Sequence, residues 1–334
     1  MQRLRLPDQF DPAPVDDGNF AACEQVGQAI DAAVAEWLAG RPHDRLFVTL
    51  ATPDFATGVS VLVRSLRAIS DVPILILTLG GDFEPKVEAG GVAFLAVPPL
   101  VRLGHAFPSD ARHLAVTLTK LWVFSLTQPA RVAFIDADCL VLQPLDGLFD
   151  GEGFAAVPDL FINYKTRAFN AGVFAFTPSA EIRHDLFQRL PELSVEDGDQ
   201  GILNAFFRNW RQLPQGLNFL RAHALLRAQA QDRALRIVHY TPSKPWLPAP
   251  VSPRDPVLAP LDDLWTTRLT PDEHVALVYD WRARLATAEV NIASWMEASA
   301  GQGRRNEWRL QRWFIAFAVL QVLQTGLLAW LLFR

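Results

Sequence analysis

The order of apolar runs and amphipathic stretches along the central part of the chain predicts alternating strands and helices. Short apolar runs bounded by turn residues predict buried strands at 46–51, 72–79, 92–97 and 130–135. Apolar residues at helical spacing predict helices at 57–70 and 114–126. Strands that are apolar throughout and alternate with helices are typical of a mostly parallel sheet covered on both faces. We therefore expect an α/β domain over residues 44–246, with ligands bound beyond the carboxyl ends of its strands.

The segments around this domain differ from it in pattern. Residues 1–43 predict a loose, polar N-terminal arm followed by an amphipathic helix at 20–39, which core packing explains better than a membrane role. Residues 247–303 predict a proline-rich wrap and a helical linker, since eight prolines fall between residues 242 and 271.

The C-terminal segment carries 21 uncharged residues at 313–333. As a helix this stretch is ~31 Å long, about the thickness of the hydrocarbon core. Four arginines precede it within residues 304–312, and only Arg334 follows it. Residues 304–334 therefore predict a basic flank and a single C-terminal membrane anchor, with the body of the protein held in the cytoplasm. The alternative is a buried core helix at the end of a soluble domain.

Composition excludes several classes of protein. Hydrophobic residues make up 50% of the chain and charged residues 20%, which excludes a disordered protein. The net charge of −5 gives no basic excess that would indicate a nucleic-acid partner. Two cysteines cannot form a disulfide framework, and no Cys/His spacing indicates a zinc site. The glycine-rich fingerprints of dinucleotide- and NTP-binding loops are also absent.

Two carboxylates separated by one residue follow the strand at 130–135 directly. Asp136 and Asp138 offer oxygen donors at the carboxyl end of a buried strand. Such donors suit a hard divalent ion, Mn²⁺ or Mg²⁺, that also takes phosphate oxygens of a substrate. By itself the pair is also compatible with solvated acids of a surface loop.

A series of motifs in a fixed order extends this pattern. It comprises 116–150 (VTLTKLWVFSLTQPARVAFIDADCLVLQPLDGLFD), 169–174 (FNAGVF), 197–204 (DGDQGILN), 239–246 (HYTPSKPW) and the first strand with its following residue, 47–52 (FVTLAT). Together they resemble the glycogenin-like glycosyltransferases of family 8, retaining enzymes with a Rossmann-like GT-A fold. The resemblance covers residues 46–246 and implies a hexosyltransferase that uses a UDP-sugar.

The resemblance also implies roles for individual residues. The metal ligands would be Asp136, Asp138 and His239, with the UDP-sugar diphosphate completing the coordination. The nucleoside would contact Leu50, Thr52, Val116 and the backbone at Ala137. The sugar would contact Lys120, Asn170, Asp199 and Gln200, and Lys244 would bind the diphosphate. Ala171 and Glu196 would also belong to the binding site of the UDP-sugar. The residues closest to catalysis would be Lys120, Asp199, Gln200 and Lys244.

These residue types suit the reaction that the resemblance implies. A divalent ion and a lysine stabilise the negative charge that develops on the leaving diphosphate. The anomeric carbon becomes positively charged, and an acid such as Asp199 stabilises it. Retention of configuration favours attack of the acceptor on the front face of the sugar. The alternative is a covalent intermediate on Asp199.

Each of these residues also has a purely structural interpretation. His239 could be a hydrogen-bonded histidine at a strand end, and Lys120 a solvated helix lysine. Residues 170–172 could form an ordinary turn that enters a strand. Asp199 could cap a helix, and Cys139 could be a small buried hydrophobic residue.

The sequence departs from the family pattern in several places. Glu196 stands where the family has a shorter acid, and the 52–55 loop has proline and phenylalanine where asparagine and tyrosine are expected. The 215–219 stretch lacks the tyrosine on which glycogenin builds its primer, so self-glucosylation is not expected.

We expect a membrane acceptor, a glycolipid or lipid-linked glycan, because an anchor raises the local concentration of enzyme near it. A soluble glycan or protein acceptor, a non-catalytic UDP-sugar-binding scaffold and a membrane adaptor are the alternatives. The sequence leaves the donor sugar open among glucose, galactose and glucuronic acid, and it leaves a homo-oligomer open.

Overall fold

A computed structural model describes most of the first 247 residues and one later segment. The described residues are 1–7, 13–41, 44–79, 83–87, 89–105, 114–159, 168–222, 235–241, 243–247 and 259–277. The chain divides into two compact units, Met1–Thr241 and Pro242–Arg334.

The first unit is built on an eight-stranded sheet with a three-stranded sheet beside it. In chain order the strands are β1 (Gln2–Leu4), β2 (Val15–Asp16), β3 (Arg45–Ala51), β4 (Ile74–Thr78), β5 (Val92–Ala96), β6 (Leu100–Val101), β7 (Arg131–Ile135), β8 (Cys139–Val141), β9 (Ala155–Pro158), β10 (Phe169–Phe176), β11 (Arg211–Gln212), β12 (Phe219–Leu220) and β13 (Ile237–His239). The large sheet has the order β1-β5-β4-β3-β7-β10-β9-β11. Its pairs are parallel, except that β10 runs antiparallel to both β7 and β9. The mostly parallel α/β fold predicted from the sequence is thus confirmed.

Helices cover both faces of the large sheet. The described helices are α1 (Phe20–Leu38), α2 (Ala56–Arg67), α3 (Leu114–Thr117), α4 (Ala180–Arg189), α5 (Gly198–Phe206) and α6 (Ala259–Thr266). In β3, Val48 packs into a core with Ile30 of α1, whereas its neighbour Phe47 packs into a second core with Leu62 of α2. Successive residues of a strand point to opposite faces, so a strand buried on both faces is apolar at every position. This explains the unbroken apolar runs of the sequence.

Two expected details of the first unit are wrong. The N-terminal residues are not a loose arm, because β1 pairs in parallel with β5 and β2 pairs in parallel with β6. A short strand can add to an open sheet edge whatever its composition, because backbone groups form the ladder. The 114–126 helix is α only to Thr117 and continues as a tighter 3₁₀ helix over Leu118–Ser125.

The second unit is described at 243–247 and 259–277. Trp246 and Trp265 are buried and their rings lie 5.4 Å apart. Helical structure at 271–277 agrees with the helix expected from residue 272. Across the part of the chain that the structure describes, no helix combines the length and the apolar character needed to cross a membrane. The anchor predicted at 313–333 and most of the proline-rich wrap lie outside the described residues.

Candidate active site

The predicted acids lie at the carboxyl edge of the large sheet. Strand β7 ends at Ile135, and residues 136–138 then turn the chain into β8. The turn is closed by the Cys139 amide, which donates to the Asp136 carbonyl at 3.1 Å. On the other side, the Asp136 amide donates to the carbonyl of Gly172 in β10 at 2.8 Å. The backbone of Asp136 is therefore held on both sides, by β10 and by the turn into β8.

His239 reaches the same place from the end of β13. Its Nε2 atom lies 3.2 Å from Asp138 Oδ1 and 3.9 Å from Asp136 Oδ2. Its ring packs so closely on β10 that a Cβ atom at Gly172 would lie 2.2 Å from Cε1. Only glycine fits there, and the ring is fixed by this contact.

The other ring nitrogen of His239 is held by Asn218. Nδ1 lies 3.0 Å from Asn218 Oδ1, whose amide nitrogen donates to Asn170 Oδ1 at 2.8 Å. An amide oxygen only accepts, so Nδ1 carries the hydrogen and Nε2 presents its lone pair to the acids. This is the arrangement by which outer hydrogen bonds prepare a histidine to bind a metal.

The Asn218 contact is the start of a chain of amides that crosses the site. Asn170 Nδ2 donates to Gln200 Oε1 at 3.1 Å, and Gln200 Nε2 donates to Asp159 Oδ2 at 3.3 Å. The backbone amide of Ala171 also donates to Gln200 Oε1, at 3.1 Å. Each amide thus has a fixed orientation, with a carboxylate at the far end.

Lys120 is buried between two carboxylates. Its Nζ lies 2.9 Å from Asp136 Oδ1 and 2.7 Å from Asp199 Oδ2. It also donates to the Ala171 carbonyl at 3.2 Å and lies 4.9 Å from the centre of the Phe134 ring. Lys120 is 5% exposed, so the interpretation as a solvated lysine is wrong.

Burial and neighbouring charges shift the pKa values of this cluster. Burial has the largest effect on Asp136 and raises its pKa, Lys120 acts in the opposite direction, and Asp138 adds to the rise. Burial acts to lower the pKa of Lys120, but Asp136 and Asp199 outweigh it and the pKa is raised. The cluster therefore keeps Lys120 charged and disfavours the charge on Asp136, a cost that a divalent cation beside Asp136 would relieve.

The residues present fit a divalent metal ion. Two carboxylates and an oriented histidine nitrogen are ligands that Mn²⁺ accepts. One feature was not expected: Asp138, Cys139 and His239 each place a ligand atom within 4.8 Å of the others, and all three are buried. The burial of Cys139 agrees with its interpretation as a small hydrophobic residue, but its position puts sulfur beside two of the predicted metal ligands.

The other predicted site residues differ in their position in the fold and in their exposure. Val48 of β3 pairs with Phe134 of β7, which places Leu50 and Asp136 at the same sheet edge, with Thr52 just beyond. Val116 in α3 is 42% exposed, which is unusual for valine. Ala137 is buried between the two acids. Glu196 is exposed, and Lys244 belongs to the second unit.

Some interpretations of the site change with the structure. Helix α5 begins at Gly198, so Asp199 lies inside its first turn, does not cap it and faces Lys120. Residues 170–172 lie within β10 and are not a turn.

Asn218 and Asp159 were not predicted as site residues. The sequence offers only a weak signal for Asn218, a single amide between Leu217 and Phe219. The structure leaves it 2% exposed.

The architecture matches a known fold. Galactosyltransferase LgtC, solved in complex with donor and acceptor sugar analogues, aligns with a TM-score of 0.53. The alignment covers 70% of this chain and 99% of that chain at 22% identity. A likeness at this identity concerns the fold, which is the GT-A glycosyltransferase fold.

Sequence comparison finds similarity to one family of glycosyltransferases. A model described as Glycosyl transferase family 8 matches residues 105–249. Glycogenin-1 of Homo sapiens is 33% identical over 223 residues, which cover 61% of this chain and 62% of that protein. UDP-glucuronate:xylan alpha-glucuronosyltransferase 2 of Arabidopsis thaliana is 28% identical over 265 residues, which cover 74% of this chain and 42% of that protein. The chain thus spans less than two thirds of either relative. It is similar to the glycogenin-like glycosyltransferases of family 8, whose model matches residues 105–249.

Proposed function

We propose that the protein is a metal-dependent, retaining glycosyltransferase that moves a hexosyl or hexuronosyl group from a UDP-sugar to an acceptor. The observation that carries this proposal is the meeting of Lys120, Asp136, Asp138, Asp199 and His239 at the carboxyl edge of the sheet. All five lie within the residues that match family 8.

In this proposal Asp136, Asp138 and His239 hold Mn²⁺ or Mg²⁺. When bound, the ion supplies positive charge to the departing diphosphate. The amide chain from Asn218 to Gln200 keeps the His239 lone pair directed at the site. Asn170 and Gln200, whose side chains are already oriented, bind hydroxyl groups of the sugar.

Lys120 and Asp199 act as a pair in this proposal. The 2.7 Å contact fixes the Asp199 carboxylate, which stabilises the positive charge that develops on the anomeric carbon. A carboxylate held by a lysine is a weak nucleophile, which favours front-face attack over a covalent intermediate on Asp199. Trapping with a fluorinated donor distinguishes the two routes: a glycosyl adduct on Asp199 would exclude front-face attack.

The donor is tested by UDP release from the full chain in detergent. The panel is UDP-glucose, UDP-galactose and UDP-glucuronate, each with Mn²⁺ or with a chelator. Two of these sugars occur in the names of similar proteins, a galactosyltransferase and a UDP-glucuronate-dependent transferase. We expect release from one donor, lost with chelator and reduced at least about a hundredfold in Asp138→Asn. Asp146→Asn, at an exposed acid, is the matched control.

Metal-dependent release would establish a transferase. A non-catalytic UDP-sugar-binding protein instead gives stabilisation without release, about 2.7 kcal/mol at a hundred times the Kd. A membrane adaptor gives neither effect, and its partner binding is indifferent to Asp138→Asn. Absence of both release and stabilisation with every UDP-sugar would contradict the proposed function.

We further propose that the acceptor is a glycolipid or lipid-linked glycan and that residues 304–334 anchor the enzyme to the cytoplasmic face of a membrane. The support is the 21-residue uncharged stretch at 313–333 and the arginines before it. The full chain is incubated with the donor and either membrane lipid extract or soluble glycans. Transfer into the lipid fraction supports the proposal, whereas transfer to soluble glycans or protein alone refutes the lipid acceptor and keeps the transferase.

A further inference from the structure

Cys139 follows Asp138, the second acid of the 136–138 turn, and its sulfur can serve as a metal ligand. Cys139 and His239 are direct partners in the antiparallel pair of β8 with β13. Opposite residues of an antiparallel pair project to the same side, with Cβ atoms about 5 Å apart. Asp138 completes the group, since its Oδ1 lies 3.2 Å from His239 Nε2.

These three residues form a second set of metal ligands, which we call the soft set: Asp138, Cys139 and His239. One ligand atom of each lies within 4.8 Å of the other two, and all three residues are buried. Sulfur, imidazole nitrogen and carboxylate oxygen around a small volume are the donors that tetrahedral Zn²⁺ selects. The hard set proposed above for Mn²⁺ has Asp136 in place of Cys139.

We propose that the soft set binds Zn²⁺ and that this ion excludes the activating Mn²⁺ or Mg²⁺. The two sets share Asp138 and His239, and one Nε2 lone pair cannot serve two ions. Binding through sulfur releases the thiol proton to solvent, and nothing is oxidised or reduced. A site that includes a thiolate binds Zn²⁺ more tightly than Mn²⁺, so zinc competes at low concentration.

The second cysteine provides a matched control. Cys23 is also buried, but it lies on α1 in the other core, where its sulfur contacts the Asp16 carbonyl at 3.6 Å. Burial and the acids beside it raise its pKa to about 12. Removing Cys23 therefore removes a buried thiol without touching the soft set.

The test uses Co²⁺ as a spectroscopic probe for zinc, with the full chain stripped of metal by chelator. We expect one equivalent of Co²⁺ to give a thiolate-to-metal charge-transfer band in wild type and in Cys23→Ala. The band should be absent from Cys139→Ala and from Cys139→Ser, which keeps the number of heavy atoms in the side chain. Melting curves of the metal-free proteins establish that the variants fold. No band in wild type, or an unchanged band in folded Cys139→Ala, overturns the proposal.

A second measurement tests the inhibition and rests on the proposed function. In Mn²⁺-dependent UDP release, the Zn²⁺ concentration for half inhibition should rise about tenfold or more in Cys139→Ser and stay unchanged in Cys23→Ala. Equal zinc sensitivity in Cys139→Ser refutes the competition. If no protein releases UDP, the proposed function fails, and the cobalt spectra still decide whether the soft set binds metal.

Discussion

The orientation of His239 depends on residues that do not themselves face the acids. Replacing Asn218 by alanine removes the acceptor of Nδ1–H and leaves Asn170 Oδ1 with the Gly172 amide as its remaining donor. We expect Mn²⁺ affinity to fall between about tenfold and a hundredfold. Asn218→Asp restores an acceptor for Nδ1 and should recover part of the affinity. Calorimetric titration of the full chain measures both, and equal affinity in wild type and Asn218→Ala would contradict this role.

The close approach of His239 to β10 gives a second expectation for a single residue. A methyl group at Gly172 would lie 2.2 Å from Cε1 and 2.6 Å from Nδ1 of His239, so the ring must move. We expect Gly172→Ala to lose about 1–3 kcal/mol of unfolding free energy and most metal binding. An added Cβ at Gly147 would contact only Asp150, at 3.7 Å. Gly147→Ala should therefore change the free energy of unfolding by less than about 0.5 kcal/mol. Denaturant unfolding compares them, and normal metal binding by Gly172→Ala would mean that the ring position is unimportant.

The contribution of Lys120 to stability does not change with pH near neutrality. Its pKa is raised, so its contribution is complete below the ordinary lysine value of ~10.4 and is lost only as pH rises through the higher folded value. We expect metal-free Lys120→Met to lose about 3–5 kcal/mol, because buried acids lose their cation. This loss should be the same between about pH 7 and 9. Lys86→Met, at an exposed lysine, should change nothing, and a loss that varies across this range would refute the argument.

At the scale of elements, one buried ion pair ties the N-terminal segment to the rest of the first unit. Arg102, just after β6, contacts Asp17 Oδ2 at 2.7 Å, and the Asp17 side chain is 2% exposed. The same guanidinium donates to the carbonyls of Leu190 and Leu193. We expect Asp17→Ala to cost about 3–5 kcal/mol, because it leaves a charge without its partner.

The pair of Arg3 with Glu84 is the matched surface control. Its side chains are 42% and 56% exposed, so Glu84→Ala should cost less than about 1 kcal/mol. Urea unfolding of the two variants measures the difference. Similar small losses in both would mean that the N-terminal segment does not contribute to the stability of the unit.

Element length explains why the shortest strands were not predicted from the sequence, although β10, with eight residues, was missed despite its length. The runs at 46–51, 72–79, 92–97 and 130–135 were found within two residues at nearly every boundary, because each is long enough to show a buried pattern. Strands β8, β12 and β13 have two or three residues and leave no pattern, yet β8 and β13 carry Cys139 and His239. The soft set could not be anticipated from the sequence for this reason, since Cys139 and His239 are 100 residues apart and meet only through this pairing.

At the scale of the whole molecule, the sequence predicted the class of sheet but not its order. Strand β10 lies between β7 and β9 and runs against both, and no local signal specifies such an arrangement. The motifs nevertheless placed Lys120, Asp136, Asp199 and His239 in one site, because motif order reports family topology. Asn218 was not predicted, because its hydrogen bonds with His239 and Asn170 join residues that are distant in the sequence and meet only in the folded chain.

The membrane anchor is the expectation that concerns the entire chain. Arginine near the centre of a spanning helix costs about 3 kcal/mol, so Leu320→Arg with Leu323→Arg should release the full chain from liposomes in a flotation assay. Asn306→Arg with Gln311→Arg adds the same charge to the basic flank and should leave flotation intact, since positive residues there favour the cytoplasmic side. Both double variants should release UDP equally well from the free donor in detergent, because the site lies in the first unit. Transfer to a lipid acceptor should then fall only in the variant that no longer floats. A wild-type chain that stays in the aqueous fraction contradicts the anchor and supports a terminal core helix instead.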